Sequence, residues 1–252
     1  MSIKRFNKFK MTKALTLTDK DREMRAKLGR APRPRLASTI VLYRGTKDNP
    51  QILMGQRARA HDFMPSVYVF PGGRVDRADS FAPHTGQMLP TTQRILAKYY
   101  SDARARAVVL AAIRETYEET GLCLTQKADG PIKNINHPSW DSLRQQSLLA
   151  DMSEIEIFGR AVTPPYRHKR FDTWFLLRHV DDSTLKGQMI DSAELLNLGW
   201  YDLDAIKALE TARATDMMLH VLGDYLNGSS PANTVFHSRW ERNDYAMTYE
   251  PI

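Results

Sequence analysis

The chain has a single cysteine, Cys123, among 252 residues. One thiol cannot close an intramolecular disulfide, and no Cys/His cluster stands at zinc spacing, so a disulfide scaffold and a zinc finger are both excluded. No apolar run approaches the roughly 20 residues a membrane helix needs, which leaves no expectation of a membrane partner. Histidine is also sparse, with seven scattered residues that form no ligand set. What is present has the balance of an ordinary globular chain, 42% hydrophobic and 26% charged. This length suits one well-packed domain with extensions better than two separate cores.

The net charge of +7 is unevenly placed. Residues 1–35 hold twelve Lys/Arg against three acids, so the arm carries +9 and the remainder −2. The high pI therefore belongs to a basic, flexible arm and not to a basic domain face, and a nucleic-acid partner is disfavoured. The expected organisation is the arm at 1–35, a catalytic-size domain at 36–227 and a C-terminal extension at 228–252.

Beyond the arm, residues 38–43 (STIVLY) and 51–55 read as strands joined by a turn at Asp48-Asn49-Pro50. A third strand, 67–70, stops at Pro71-Gly72-Gly73, where the glycines permit close approach of the backbone to a ligand. Residues 101–121 carry a helix, opened by Ser101 or Asp102 and closed by Gly121. Its first half is apolar nearly all round, which predicts burial between layers. Strands at 155–162 and 171–179 and helices at 203–209 and 211–226 follow, an alternation that favours an α/β or α+β sandwich.

The second half of that helix, Arg114-Glu115-Thr116-Tyr117-Glu118-Glu119-Thr120-Gly121-Leu122, carries the chemistry. Offsets of three and four residues bring Glu115, Glu118 and Glu119 within an arc of about 100°. Three converging carboxylates repel, and no Lys stands four residues on from any of them. Hard oxygen donors without His or Cys select Mg²⁺ or Mn²⁺ over zinc.

This segment resembles the second half of the Nudix box, G-x5-E-x7-R-E-U-x-E-E-x-G-U, where U is a bulky aliphatic. Gly73 with Asp79 resembles the first half, the shorter acid replacing Glu, and Thr116 stands at an aliphatic position. Thirty-four residues separate Asp79 from Arg114 instead of seven, so the box is split by a 27-residue insertion at 80–106. The resemblance implies an α/β/α sandwich with a mixed sheet and the box helix packed between layers. It also implies a hydrolase of pyrophosphate bonds, with Glu115, Glu118, Glu119 and the Gly73 carbonyl as metal ligands. Arg114 would orient a glutamate, and Glu194 or Glu115 would be the base, with Glu194 preferred.

The stretch Phe63-Met64-Pro65, then Val69-Phe70-Pro71-Gly72-Gly73-Arg74-Val75-Asp76 and Asp79, is similar to a split-box subfamily that includes a peroxisomal coenzyme A diphosphatase. This favours a coenzyme A-like nucleoside diphosphate derivative as the small-molecule substrate, with ADP-ribose or a dinucleotide as alternatives. Arg57, Asp79 and Arg170 are the expected substrate contacts, and the insertion either overhangs the site or decorates the surface. The chain ends Glu-Pro-Ile and not in a peroxisomal tripeptide, which weakens the coenzyme A reading, while the lone cysteine suits a reducing cytoplasm as the expected location. A catalytically silent ligand-sensing domain is the competing class, a homodimer stays open, and the four charged residues retained on one helix favour the enzyme.

Overall fold

The computed structural model describes Glu23 and residues 31–59, 65–241 and 244–252. The rest of the basic arm, and Phe63 and Met64, lie outside the described residues. In chain order the elements are β1 (Arg35–Thr46), β2 (Asn49–Arg57), β3 (Tyr68–Val69), β4 (Gly72–Arg74), a 3-10 turn (Ala78–Phe81), β5 (His84–Thr85), α1 (Pro90–Ala97) and α2 (Asp102–Thr120). Then come β6 (Leu122–Lys127), α3 (Pro138–Gln145), β7 (Leu148–Asp151), β8 (Glu156–Val162), β9 (Phe171–His179) and β10 (Leu185–Gly187). The chain closes with β11 (Leu195–Asp202), α4 (Leu203–Lys207), α5 (Arg213–Leu226), β12 (Thr234–Glu241) and β13 (Asp244–Pro251).

A mixed sheet in the order β11-β2-β1-β9-β8-β12-β13 forms the middle layer, with β3 added to β2 and β4 to β1. At its centre β1 runs parallel to β9, in register from Arg35 opposite Phe171 to Tyr43 opposite His179. Both strands are covered on both faces, so they read as continuous apolar runs. Ile40, Leu42, Trp174 and Leu176 pack towards α2, while Val41, Tyr43, Phe175 and Leu177 pack towards Met217, Met218, Val221 and Leu222 of α5. A second sheet, β10-β6-β7-β5, contributes Cys123, Leu124 and Ala150 to the α2 core. The result is the expected α/β/α sandwich, with α2 buried between the large sheet and the second sheet. Gly121 ends α2 at φ 73°, where a Cβ would lie 2.5 Å from the Gln188 carbonyl oxygen. None of the described helices is long and apolar enough to cross a membrane.

Two expectations about the periphery change. The insertion does not overhang the box: α1 buries Ile95 and Leu96 in the α2 core, and the Thr92 hydroxyl donates to the Ile155 carbonyl at 2.7 Å. Tyr100 accepts from Trp174 Nε1 at 3.0 Å, and Tyr99 donates to Glu250 at 2.9 Å. A helix with an apolar face buries that face where the sheet offers core surface, and here the surface lies away from the glycine loop. Nor is the C-terminal segment an appendage. Strand β12 pairs in parallel with β8, Phe236 opposite Gly159 and Ser238 opposite Ala161, and β13 completes the sheet beyond it.

Candidate active site

The site begins at the bend where β3 leads into β4. Gly72 has φ 154°, and a Cβ there would lie 2.5 Å from the Thr39 hydroxyl and 2.6 Å from the Ser38 carbonyl oxygen, so only glycine fits. Its amide donates to Glu119 Oε2 at 2.8 Å. At Gly73 a Cβ would meet both carboxylate oxygens of Glu115 at 2.6 Å. The missing side chain is what lets a glutamate from the helix lie against the loop backbone.

Behind these acids Arg114 is 3% exposed and fully engaged. Its Nε donates to Asp79 Oδ1 at 2.8 Å, and Nη2 donates to Asp79 Oδ2 at 3.1 Å and to the Arg74 carbonyl at 2.8 Å. The third nitrogen, Nη1, reaches Glu115 and Glu118 at 2.9 Å each. Asp79 is fully buried and takes two more donors, Trp140 Nε1 at 3.0 Å and the Asp76 amide at 2.7 Å. Burial alone would lower the Arg114 pKa, but the hydrogen bonds and charge of Asp79, with Glu115 and Glu118, push it above the ordinary arginine value.

The carboxylate pKa values rise as well, and for an acid a rise disfavours the charged form. Burial, reinforced by the charges of Glu118 and Glu194, pushes the Glu115 pKa up to about 7 against the pull of Arg114. Burial and Glu115 raise Glu119 well above the ordinary carboxylate range, although the Gly72 amide and Arg57 oppose it. For Arg57 burial lowers the pKa, and Glu119 and Glu194 pull it back. Among the described residues no group of three His, Cys, Asp or Glu stands in finished metal-binding geometry. The donor set nevertheless fits a hard divalent cation: carboxylate oxygens of Glu115 and Glu119 without a protein donor, a glycine cradle, and repulsion that a cation would relieve.

That repulsion gives a pH-dependent expectation. A carboxyl whose folded pKa is raised contributes stability below its ordinary value, and this is lost as pH rises through the folded value, here about 7. A cation must displace the proton, so the rise in Tm caused by Mg²⁺ should be larger at about pH 8 than at about pH 5. Thermal melts with and without Mg²⁺ at both pH values measure it, and an equal or absent rise would count against a cation at Glu115.

All four glutamates open onto one cleft of about 1190 Å³. Glu194 is exposed at the mouth just before β11, its backbone carbonyl accepting from the Ala58 amide at 2.9 Å. The same cleft is lined by the basic side chains of Arg33, Arg35, Arg167, Lys169, Arg170 and Arg213. Ser238 and Tyr245 of the C-terminal hairpin also line it, whereas no residue of the insertion does.

No family model matches the chain. A Caenorhabditis elegans protein named "Putative nudix hydrolase 7" is 30% identical to it over 160 residues, covering 59% of this chain. The chain spans under half of that relative, 45% of its length. The crystal structure of a NUDIX hydrolase from Alicyclobacillus acidocaldarius is similar at 26% identity and a TM-score of 0.57, covering 75% of this chain and 91% of that one. Sequence and fold together support the Nudix hydrolase family.

The two halves of the Nudix-like motif meet in space: α2 brings Glu119 to the Gly72 amide and Glu115 against Gly73, and Glu118, Arg57 and Glu194 line the same cleft. Asp79, expected to touch substrate, does not line the cleft; Arg114, Trp140 and the Asp76 amide occupy its carboxylate. Arg114, expected to orient a glutamate in support of catalysis, spends its guanidinium on protein acceptors, Glu115 and Glu118 among them. Arg170 does line the cleft, yet its Nε and Nη1 brace the Thr163 and Pro32 carbonyls at 2.9 and 2.8 Å. Sequence reasoning missed Trp140 and Ser139, whose only local signal is the helix start at Pro138, and Arg33, Arg35 and Arg213 among the basic side chains of the cleft.

Proposed function

We propose that the protein hydrolyses the pyrophosphate bond of a nucleoside diphosphate linked to a second group. The observation that carries this reading is that four glutamates and a set of arginine and lysine side chains line one cleft. A diphosphate has anionic oxygens for the basic side chains and a phosphorus that water must approach through negative charge. Mg²⁺ or Mn²⁺ held by Glu115, Glu118, Glu119 and the Gly73 carbonyl would neutralise that charge and acidify water. Arg57, Arg167 and Lys169 would bind the phosphates and hold them in line with the acids, while Arg170 keeps the loop at 163–170 in place. Glu194, exposed at the mouth, is the proposed proton acceptor, and Glu115 is the alternative.

Coenzyme A retains the support of the loop before the box. It loses that of the insertion, which packs away from the cleft, and so stands level with ADP-ribose and dinucleotides. Purified protein incubated with coenzyme A, ADP-ribose and a diadenosine polyphosphate should cleave at least one of them in Mg²⁺ or Mn²⁺ and none in EDTA. Cleavage that persists in EDTA would remove the metal-dependent reading. Tight binding of one compound without turnover would turn the assignment towards a ligand sensor.

A further inference from the structure

Helix α3 lies outside the box but reaches into it twice. The Ser139 hydroxyl donates to Glu118 Oε1, and Trp140 Nε1 donates to Asp79 Oδ1 at 3.0 Å. One turn on, the Ser142 and Tyr117 hydroxyls share a hydrogen bond of 2.9 Å, which ties the side of α3 to the residue preceding Glu118. Two of these contacts fasten α3 to the acidic half of α2, and the third fastens it to Asp79 in the 3-10 turn.

Their effect falls on Glu118. Of the three helix glutamates it is the one most open to solvent, 31% exposed against 13% for Glu115, and an exposed glutamate left alone samples many rotamers. Here Ser139 holds Oε1 while Arg114 holds Oε2 at 2.9 Å, so the carboxylate has one orientation. Arg114 is fixed in turn by Asp79, and Asp79 by Trp140, so α3 supports Glu118 by a direct route and an indirect one. Each carboxylate oxygen retains a lone pair after accepting one hydrogen bond and can still face a cation.

We infer that Ser139 is a positioning residue for the cation site: it fixes the Glu118 carboxylate so that the site is assembled before the cation arrives. This rests on the assignment of Glu118 as a ligand under the proposed function. Supporting partners of metal-binding carboxylates commonly contribute 10–100-fold to affinity, which sets the expected size.

The test is direct Mn²⁺ binding to the full-length protein, followed by electron paramagnetic resonance without substrate. Ser139→Ala should weaken binding by roughly tenfold or more, and Ser139→Thr, which keeps the hydroxyl, should restore it. The melting temperature of Ser139→Ala in EDTA should stay close to wild type, because this half-buried side chain contributes one contact at the helix surface. In a Glu118→Gln background Ser139→Ala should add no further loss, since it acts through that carboxylate. Wild-type affinity in Ser139→Ala, failure of Thr to rescue, or additive losses in the double variant would overturn the inference and leave the proposed function standing. Wild-type protein that binds no Mn²⁺ would overturn both.

Discussion

Glu119→Gln is expected to lower kcat by roughly two orders of magnitude or more while leaving the protein at least as stable as wild type. The two effects separate because of what the side chain does in the fold. Its Oε2 accepts the Gly72 amide at 2.8 Å, and a glutamine carbonyl oxygen can accept the same bond, so the loop geometry is kept. What the amide cannot supply is the negative charge. That charge lies in a buried cluster where Glu115 opposes it, and its pKa is raised well above the ordinary range for that reason. Neutralising it relieves repulsion in the absence of a cation and removes a ligand in its presence. Thermal melts in EDTA together with steady-state turnover in Mg²⁺ read both effects. A fully active Glu119→Gln enzyme would sink the cation site, and a large loss of melting temperature would show that the charge itself holds the fold.

How much of this was legible in the sequence depends on whether the cause was local. Strands β1 and β9 were, because burial on both faces writes them as uninterrupted apolar runs, and α2 was, because it has a clear start, a glycine stop and a continuous buried surface. The three carboxylates of α2 were legible for the same reason, as helical spacing alone puts them together. Asp79 was not, since its role is decided by Arg114 and Trp140, 35 and 61 residues away. The run Arg167-His168-Lys169-Arg170 reads as a solvated loop until the fold brings it to the cleft that the glutamates line. For the insertion the helix could be read but its destination could not, because the surface that buries Ile95 and Leu96 belongs to the α2 core. Strand β12 was missed because its parallel partner, β8, lies more than seventy residues earlier and leaves no local mark, and β13 joins the sheet only through β12.

The largest stability effect is expected at Arg114. In Arg114→Met the fully buried Asp79 keeps only Trp140 and the Asp76 amide as donors and loses the opposing charge. Removing one partner of a buried ion pair costs about 3–5 kcal/mol, because the other is left charged in a low-dielectric site. For a chain of this size that corresponds to a fall in melting temperature on the order of 10 °C, with turnover lost as Glu115 and Glu118 are released. The double variant Asp79→Leu/Arg114→Met removes both charges and should regain much of the stability, while the activity stays lost because nothing then aims the glutamates. Melts and turnover of both variants divide the contributions. Recovery of activity with stability in the double variant would show that Arg114 serves only the fold. An Arg114→Met protein as stable as wild type would show that the buried pair contributes little to stability.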